Sequence, residues 1–425
     1  MPGYRMSSRE SSSEPYGHGL VGPPGTRPIR NGNGDGDGNG DGNGGPSPNP
    51  NFRAVAVEAT QATQFFNFNG QGTGTGADNS VPLVPQKTTV FRVYTDSGQW
   101  TPGFPVPTSI TGALSVYRLN WPQAPHYEIV GTLSPIGFPI AGRPASAIQR
   151  ASLQDTLNFR LPAWQSYGGN TNKLGVTAYL WDADHPGDPA YVAESFVPPY
   201  FSFVPSGVQT RLRLHVVRIR YLGPDSTGAP ITIPEPSEFA VTNTLSNSFV
   251  SRTYPVSGID YTAITIAEFN GDLRATGGSG CGLGWDALIQ MLRDIRSASS
   301  SADIVVGMLP LGAPTAGGVL GCGSLGVAAA YQGDAVTLAQ EIGHAMGRLH
   351  APCAASAPPV DPGYPAFGTG PPGSIGEVGI DCATLTPFAP GGASPTFDFM
   401  GYCPPKWVSP YTYNALFSFQ HIFAS

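Results

Sequence analysis

One predicted helix carries the residues best suited to chemistry in this sequence. The chain before Gly347 consists of residues that form or tolerate a helix, and a glycine at this position commonly ends one. Gln340 and His344 are four residues apart, so they project from one face of that helix, one turn apart, with Glu341 beside them. The turn at Gly347 brings His350 back towards the same point. We therefore expect an amide, two imidazoles and a carboxylate to converge.

The segment from Gln340 to His350, QEIGHAMGRLH, resembles the signature of the metzincin zinc metalloproteases. The family pattern is His-Glu-x-x-His-x-x-Gly-x-x-His, followed downstream by a methionine turn. In this family three imidazoles hold zinc with one position open, and the glutamate activates the bound water. The resemblance implies Zn²⁺ as cofactor, with His344 and His350 as ligands. It also implies Glu341 as general base and acid, and leaves Gln340 as a weak or water-mediated third ligand.

A downstream segment also resembles this family. The residues from Asp398 to Cys403, DFMGYC, are similar to the methionine turn, and Met400 follows His350 by fifty residues. In metzincins this methionine forms an apolar floor under the metal. In some branches a tyrosine two residues later approaches the zinc and then stabilises the oxyanion. Tyr402 has that spacing, so the resemblance implies a catalytic role for Tyr402 and structural roles for Met400 and Gly347.

The resemblance extends over most of residues 52–425 and is most specific from 334 to 413. The chain resembles a group of bacterial metzincin-like peptidases in which a β-sandwich precedes the catalytic domain, and this implies a peptide or protein substrate and a secreted or extracellular location. The first twenty residues contain no apolar run typical of a secretory signal. The further similar segments are Val81–Leu83, Thr89–Tyr94, Ala351–Cys353, Asp361–Pro365 and Trp407–Tyr413.

Gln340 leaves the activity open between three interpretations. An amide oxygen is a poorer zinc donor than an imidazole nitrogen, and a site without tightly held metal cannot lower the pKa of water to near 7. The chain is then a zinc metalloendopeptidase with an unusual third ligand, such as Tyr402, or an inactive pseudo-protease that binds peptides or serves as a structural module. The third interpretation is an altered chain in which Gln340 was introduced. Taken singly, Glu341 would be a solvated helix residue and His344 a core histidine; together, at this spacing, they favour a site.

The elements that must position these residues predict an α+β domain over residues 237–425. A helix with Asp286 as N-cap has an apolar stripe, and a second helix begins after Asp334. The glycine-rich stretch from 317 to 326 predicts a sheet edge near a cleft, along which an extended peptide could add as a strand. The other patterns are a strand around Ile264, Ile266 and Phe269, the stripe Leu288, Met291, Leu292 and Ile295, and a buried strand at Asp303–Leu309.

Residues 51–236 have the period of two that is typical of strands, with Pro- and Gly-rich turns, which predicts an antiparallel β-sandwich. Leu174–Leu180 and Leu212–Val216 alternate clearly, and Ile231–Ser237, with two prolines, indicates a linker. The acidic cluster from Asp182 to Asp188 fits turn chemistry better than a calcium site. Residues 1–50, rich in Gly, Asn and Asp, predict a disordered tail.

Composition excludes some classes of function and leaves others open. The net charge is −7 from a charged fraction of 12%, with no basic stripe, so nucleic acid is not expected as a partner. No stretch is apolar for long enough to span a bilayer. One or two disulfides would suit an exported protein, and buried free thiols are the alternative, so the pairing stays open. The five cysteines are Cys281, Cys322, Cys353, Cys382 and Cys403.

Overall fold

The computed structural model describes residues 49–98, 101–120, 126–246, 248–278, 280–299 and 303–423. The tail predicted for residues 1–50 lies outside the described residues, apart from its last two positions. Within the described part of the chain no helix is both long and apolar enough to cross a membrane.

The N-terminal unit consists of two antiparallel sheets. One has three strands in the order β1-β2-β6, and the other has the order β4-β3-β7-β8, with β5 paired to β3. Alternating apolar residues of both sheets share one core, as the period of two predicted. The strands are β1 (Arg53–Thr60), β2 (Thr89–Asp96), β3 (Ser109–Leu119), β4 (Tyr127–Leu133), β5 (Ile140–Ala141), β6 (Leu157–Leu161), β7 (Lys173–Asp182) and β8 (Phe201–Ser202).

The C-terminal unit is built from both helices and strands, so the chain as a whole is α+β. Its elements are β9 (Arg211–Tyr221), α1 (Glu238–Leu245), α2 (Phe249–Thr253), β10 (Gly258–Phe269), α3 (Leu283–Ser299), β11 (Ile304–Leu309), β12 (Gly321–Ser324), β13 (Val327–Tyr331), α4 (Ala335–Ala345), β14 (Gly379–Asp381), β15 (Thr386–Phe388), β16 (Phe397–Asp398), β17 (Lys406–Trp407) and α5 (Pro410–Phe423).

The main sheet of this unit has the order β10-β9-β11-β13-β12. Its first four strands are parallel, and β12 is antiparallel at the edge, where the glycine-rich stretch predicted one. Helix α3 packs on one face, through Leu288 and Leu292, while α1, α2 and α4 cover the other face. A sheet covered on both faces needs apolar residues on both sides of its inner strands, which is why β11 is buried along its whole length.

Strand β9 corrects the predicted division of the chain. The alternation of Leu212–Val216 predicts a strand of the sandwich, but β9 pairs in parallel with β10 and β11 in the C-terminal sheet. The predicted linker Ile231–Ser237 also belongs there, because Ile233 forms a β-bridge with Tyr221. Alternation identifies a strand without saying which sheet it joins. The C-terminal unit therefore begins at β9, before residue 237.

Two local predictions also need correction. Helix α3 starts at Leu283, so Asp286 lies in its first turn and is not its N-cap. Strand β13 was not predicted at all, because Val327–Tyr331 is largely alanine, which has a low preference for strands. Pairing on both sides with β11 and β12 holds these residues in the sheet.

Buried charges join the two units. Glu58 of β1 accepts hydrogen bonds from Arg92 and Arg150, and the Arg150 guanidinium also donates to Glu377 of the C-terminal unit. All four side chains are fully buried or nearly so. A second link is Lys87, whose ammonium donates to the Ser251 carbonyl oxygen at 2.6 Å. These contacts tie the sandwich to the C-terminal unit.

The cysteines form two disulfides, Cys281–Cys322 and Cys353–Cys403, and the remaining thiol, Cys382, is buried. The sequence left open whether the cysteines form disulfides or stay as buried free thiols. Four of them form disulfides, and Cys382 is a buried free thiol.

Candidate functional site

Helix α4 begins and ends as the sequence predicted. The Asp334 carboxylate caps it by accepting a hydrogen bond from the Thr337 backbone N–H at 3.0 Å. After the helix, Gly347 has a φ of +75°, a left-handed conformation that glycine adopts without strain. This turn reverses the chain and brings His350 next to His344. The predicted convergence of the two imidazoles is therefore confirmed.

The two imidazoles face each other through their Nε2 atoms, which are 3.0 Å apart. His344 Nδ1 lies 2.7 Å from the Arg348 carbonyl oxygen, and His350 Nδ1 lies 2.7 Å from that of Ala357. A carbonyl oxygen only accepts, so each Nδ1 carries the hydrogen and each Nε2 of a neutral ring presents a lone pair. Two nitrogens bound to one tetrahedral zinc would be about 3.3 Å apart, since each Zn–N bond is about 2.0–2.1 Å.

Both rings are held in the neutral form. Burial lowers the pKa of His344 to about 4, an effect that the hydrogen bond to Arg348 only partly opposes. Burial also lowers the pKa of His350, and the nearby Lys406 charge lowers it further. At neutral pH the two facing lone pairs are thus available to a cation.

The Gln340 side chain is held by a neighbouring cation. It is 4% exposed, and its Oε1 accepts a hydrogen bond from the Lys406 ammonium at 3.2 Å. The amide oxygen that was to be a weak third ligand is therefore engaged by a cation of the protein itself. The sequence did not predict this contact.

Glu341 lies beside Gln340 and is 7% exposed. Burial raises the pKa of Glu341 to about 8; Lys406 opposes this shift and Asp334 adds to it. The carboxyl group is thus mostly protonated at neutral pH. In that form it donates a hydrogen bond and cannot accept a proton from water, so its predicted role as a base requires a stronger positive charge nearby.

Tyr402 lies next to the histidines, with its ring centroid 4.9 Å from that of His350. The side chain is 42% exposed, and burial raises the pKa of its hydroxyl, with the Glu341 carboxylate contributing. A neutral phenol at the mouth of the site is a hydrogen-bond donor. The position predicted for Tyr402 is compatible with contact to a bound peptide.

Met400 packs directly against helix α4. It is 1% exposed, and its Sδ occupies the space that a Cβ at Gly343 would need. Asp398 fixes the turn that contains it, by accepting hydrogen bonds from the backbone N–H groups of Met400 at 2.9 Å and Ser409 at 3.0 Å. The structural role predicted for Met400 thus has a physical basis in close packing against α4.

Strand β12 packs against helix α4 beside Glu341. A Cβ at Gly321 would lie 2.7 Å from Glu341 Cγ, and one at Gly323 would overlap the Glu341 carbonyl oxygen. The strand approaches α4 this closely only because both residues are glycine. Among the described residues β12 has a strand partner on one side alone, so its outer edge is open to a further strand. Leu320 and Leu325, which flank the strand, are exposed.

The donor set fits zinc at two positions and not at the third. His344 and His350 converge with the correct tautomers, but Gln340 offers an oxygen that already accepts from Lys406. An amide oxygen hydrogen-bonded to an ammonium is a still weaker metal donor than a free one. The arrangement is therefore a bis-imidazole site with a cationic side chain close to it.

Lys406 and Asp398 are the functional neighbours that sequence reasoning missed. Lys406 lies between two segments matched by resemblance, six residues after Met400, and it is one of only three lysines in the chain, with Lys87 and Lys173. That rarity was the available signal. Asp398 was seen as part of the turn, but its buried carboxylate was not recognised as the group that holds the turn together.

Neither the models of known protein families nor the curated proteins match this chain. The interpretation of the site consequently depends on its own residues, above all the two converging imidazoles and the Gln340–Lys406 contact.

Proposed function

We propose that the C-terminal unit is a metzincin-type metallopeptidase domain that binds extended peptides and has lost efficient hydrolysis. The observation that carries this proposal is the hydrogen bond from Lys406 to Gln340 Oε1 at 3.2 Å. It removes the third donor from a site whose other two donors are in place. The protein would then be a pseudo-protease, with a recognition cleft in the place of a catalytic one.

The metzincin-type assignment is supported by contacts between the two motifs that resemble this family. His344 and His350 are related by the Gly347 turn, and Met400 packs under the helix between them. These contacts connect the two motifs that resembled the family separately. Two motifs that share one packed centre are stronger support than two matches in a sequence.

The loss of hydrolysis follows from what each residue can do here. Zinc, when bound, supplies Lewis-acid polarisation and lowers the pKa of water. His344 and His350 would hold it, but two neutral imidazoles without a third strong donor hold zinc weakly. Glu341 is mostly protonated at neutral pH because burial raises its pKa to about 8. It therefore cannot serve as a base until a positive charge stronger than that of Lys406 lies nearby.

Peptide binding requires neither a bound metal nor an ionised Glu341. In the described part of the chain the outer edge of β12 has no strand partner, and an extended peptide can add to such an edge as a further strand. The exposed Leu320 and Leu325 offer apolar contacts at both ends of the strand. We expect peptides with apolar side chains to bind better than polar ones of equal length.

The test is to measure zinc content and peptide hydrolysis in the full chain and in Gln340→His. The unmodified protein should hold well under one equivalent of zinc after dialysis and should leave an unfolded protein substrate intact. Gln340→His should bind zinc roughly 10-fold or more tightly, because an imidazole replaces an amide. Stoichiometric zinc and chelator-sensitive cleavage by the unmodified protein would overturn the loss of hydrolysis.

A second candidate, a working zinc metalloendopeptidase, is favoured by one observation, the 3.0 Å approach of the two Nε2 atoms. In this case cleavage would appear when zinc is added in excess. It would disappear in Glu341→Gln and in His344→Ala, whereas Lys173→Met, remote in sequence from both motifs, should have no effect. Cleavage that survives Glu341→Gln would come from a contaminating protease.

A further inference from the structure

Lys406 has its backbone fixed before its side chain enters the site. Strand β17 pairs with β16, which places Phe397 opposite Lys406. The next residue, Trp407, is buried, donates its indole N–H to the Ala62 carbonyl oxygen at 2.8 Å and stacks on Phe388 with ring centroids 4.2 Å apart. The backbone position from which the Lys406 side chain departs is therefore fixed.

The ammonium of Lys406 lies among the residues of the site. It donates to Gln340 Oε1 at 3.2 Å and lies 5.9 Å from the centre of the Tyr402 ring. Its charge acts on both His350 and Glu341. The positive charge is thus close enough to His350 to lower the pKa of that imidazole.

We infer that Lys406 and Gln340 act as a pair that sets the metal affinity of this site. Gln340 holds the Lys406 ammonium, and the charge of that ammonium excludes a divalent cation. The inference rests on the proposed function, because it concerns the same two imidazoles. It goes further because it attributes the weak metal binding of the site to two named residues. Gln340 is then the acceptor that holds the lysine, as well as a missing ligand.

Two physical effects support a paired action. The ammonium repels a dication, and this repulsion is large where water is largely excluded. In addition, a histidine placed at position 340 would present a ring nitrogen to Lys406. That nitrogen would accept the lysine's hydrogen bond and would not be free to bind metal. Replacing Gln340 alone should therefore restore only part of the affinity.

The experiment uses the full chain with Gln340→His, Lys406→Met and the double variant. Methionine keeps most of the aliphatic length and removes the charge. Binding of Co²⁺ is followed by its visible absorption, and zinc affinity is measured by competition with a chromogenic chelator. Each single variant should gain about 10-fold in affinity, and the double variant about 1000-fold or more, because residues in contact are coupled. Only the double variant should give the intense absorption of tetrahedral Co²⁺ with three nitrogen donors.

Three controls separate charge from structure. Lys406→Arg keeps the positive charge and should bind metal as weakly as the unmodified protein. Lys173→Met removes the charge of an exposed lysine in β7 and should change nothing. Lys406→Gln replaces Lys406→Met if the latter gives little folded protein, and far-UV circular dichroism compares all variants.

The outcomes distinguish this inference from the proposed function. If Gln340→His alone reaches the affinity of the double variant, Lys406 does not exclude the metal, and the inference is overturned while the site stands. The same holds if Lys406→Arg gains as much as Lys406→Met. If the folded double variant binds no Co²⁺, the placement of the site is wrong and the proposed function fails with it.

Discussion

At the scale of single residues, two backbone carbonyl groups decide what the histidines can do. Each accepts the Nδ1–H of one imidazole, from His344 to Arg348 and from His350 to Ala357, and so directs both Nε2 lone pairs to one point. Nothing in the side-chain types requires this. The carbonyls are presented by the chain on either side of the second histidine, so the Gly347 turn sets the tautomers as well as the positions.

These tautomers lead to a prediction on pH. In chelator-treated protein His344 should stay neutral with its proton on Nδ1 down to about pH 5, because burial lowers its pKa to about 4. The folded protein then binds fewer protons than the unfolded chain between about pH 4 and the ordinary histidine value near 6.5. The free energy of unfolding should therefore fall as the pH drops through that window.

Imidazole ¹⁵N chemical shifts measured against pH check this directly, with the urea-unfolded chain as reference. The slope of unfolding free energy with pH should become shallower in His344→Asn. A His344 that titrates near 6.5 in the folded protein would contradict the tautomer assignment.

At the scale of elements, the close approach of β12 to α4 depends on glycine. Gly323→Ala should push the strand away from the helix, because its Cβ would overlap the Glu341 carbonyl oxygen and backbone cannot move aside locally. We expect a loss of about 1–3 kcal/mol in unfolding free energy. Peptide affinity should fall by about 10-fold or more, which fluorescence anisotropy with a labelled apolar peptide measures.

The matched control for this substitution is Gly368→Ala, since a Cβ at Gly368 meets no atom within 4 Å. It should alter neither quantity. Equal peptide affinity in Gly323→Ala and Gly368→Ala would argue against binding along β12.

Elements also show what can be predicted from sequence and why the rest cannot. The helix α4 and the turn at Gly347 depend on local signals, a cap and a glycine, and both were predicted correctly. The sheet to which β9 belongs depends on partners far along the chain, so its alternation was assigned to the wrong unit. The same distinction holds in the site. Six residues separate His344 from His350, whereas 66 separate Gln340 from Lys406, and no local rule brings the latter pair together.

At the scale of the whole molecule, the two units share buried charges that no isolated unit could satisfy. Glu377 is the C-terminal unit's contribution to the network of Glu58, Arg92 and Arg150, and it also accepts a hydrogen bond from the Thr73 hydroxyl at 2.6 Å. Glu377→Gln should cost about 3–5 kcal/mol, because it leaves part of a buried positive charge without its partner. The two units should also separate earlier in a urea titration.

Urea unfolding followed by tryptophan fluorescence and by circular dichroism measures both effects. The transitions of the two probes should coincide in the unmodified protein and diverge in the variant. Glu268→Gln is the control, because its partner Arg220 lies at the surface and such pairs contribute little. Coincident transitions in Glu377→Gln would mean that the network does not couple the units.

The positions of the disulfides have a consequence for the C-terminal unit under reducing conditions. One cross-link holds the edge strand through Cys322, and the other joins the chain just after His350 to the chain just after Met400. Each closes a long loop, with sequence separations of 41 and 50 between the paired cysteines, so each strongly limits the freedom of the segment it ends. Cys322 is buried in the core between α3 and the main sheet, and Cys353 and Cys403 belong to the segments that follow His350 and Met400, whereas the sandwich core contains no cysteine. We therefore expect reduction of the two disulfides to loosen β12 and the segment after His350 while the sandwich stays folded.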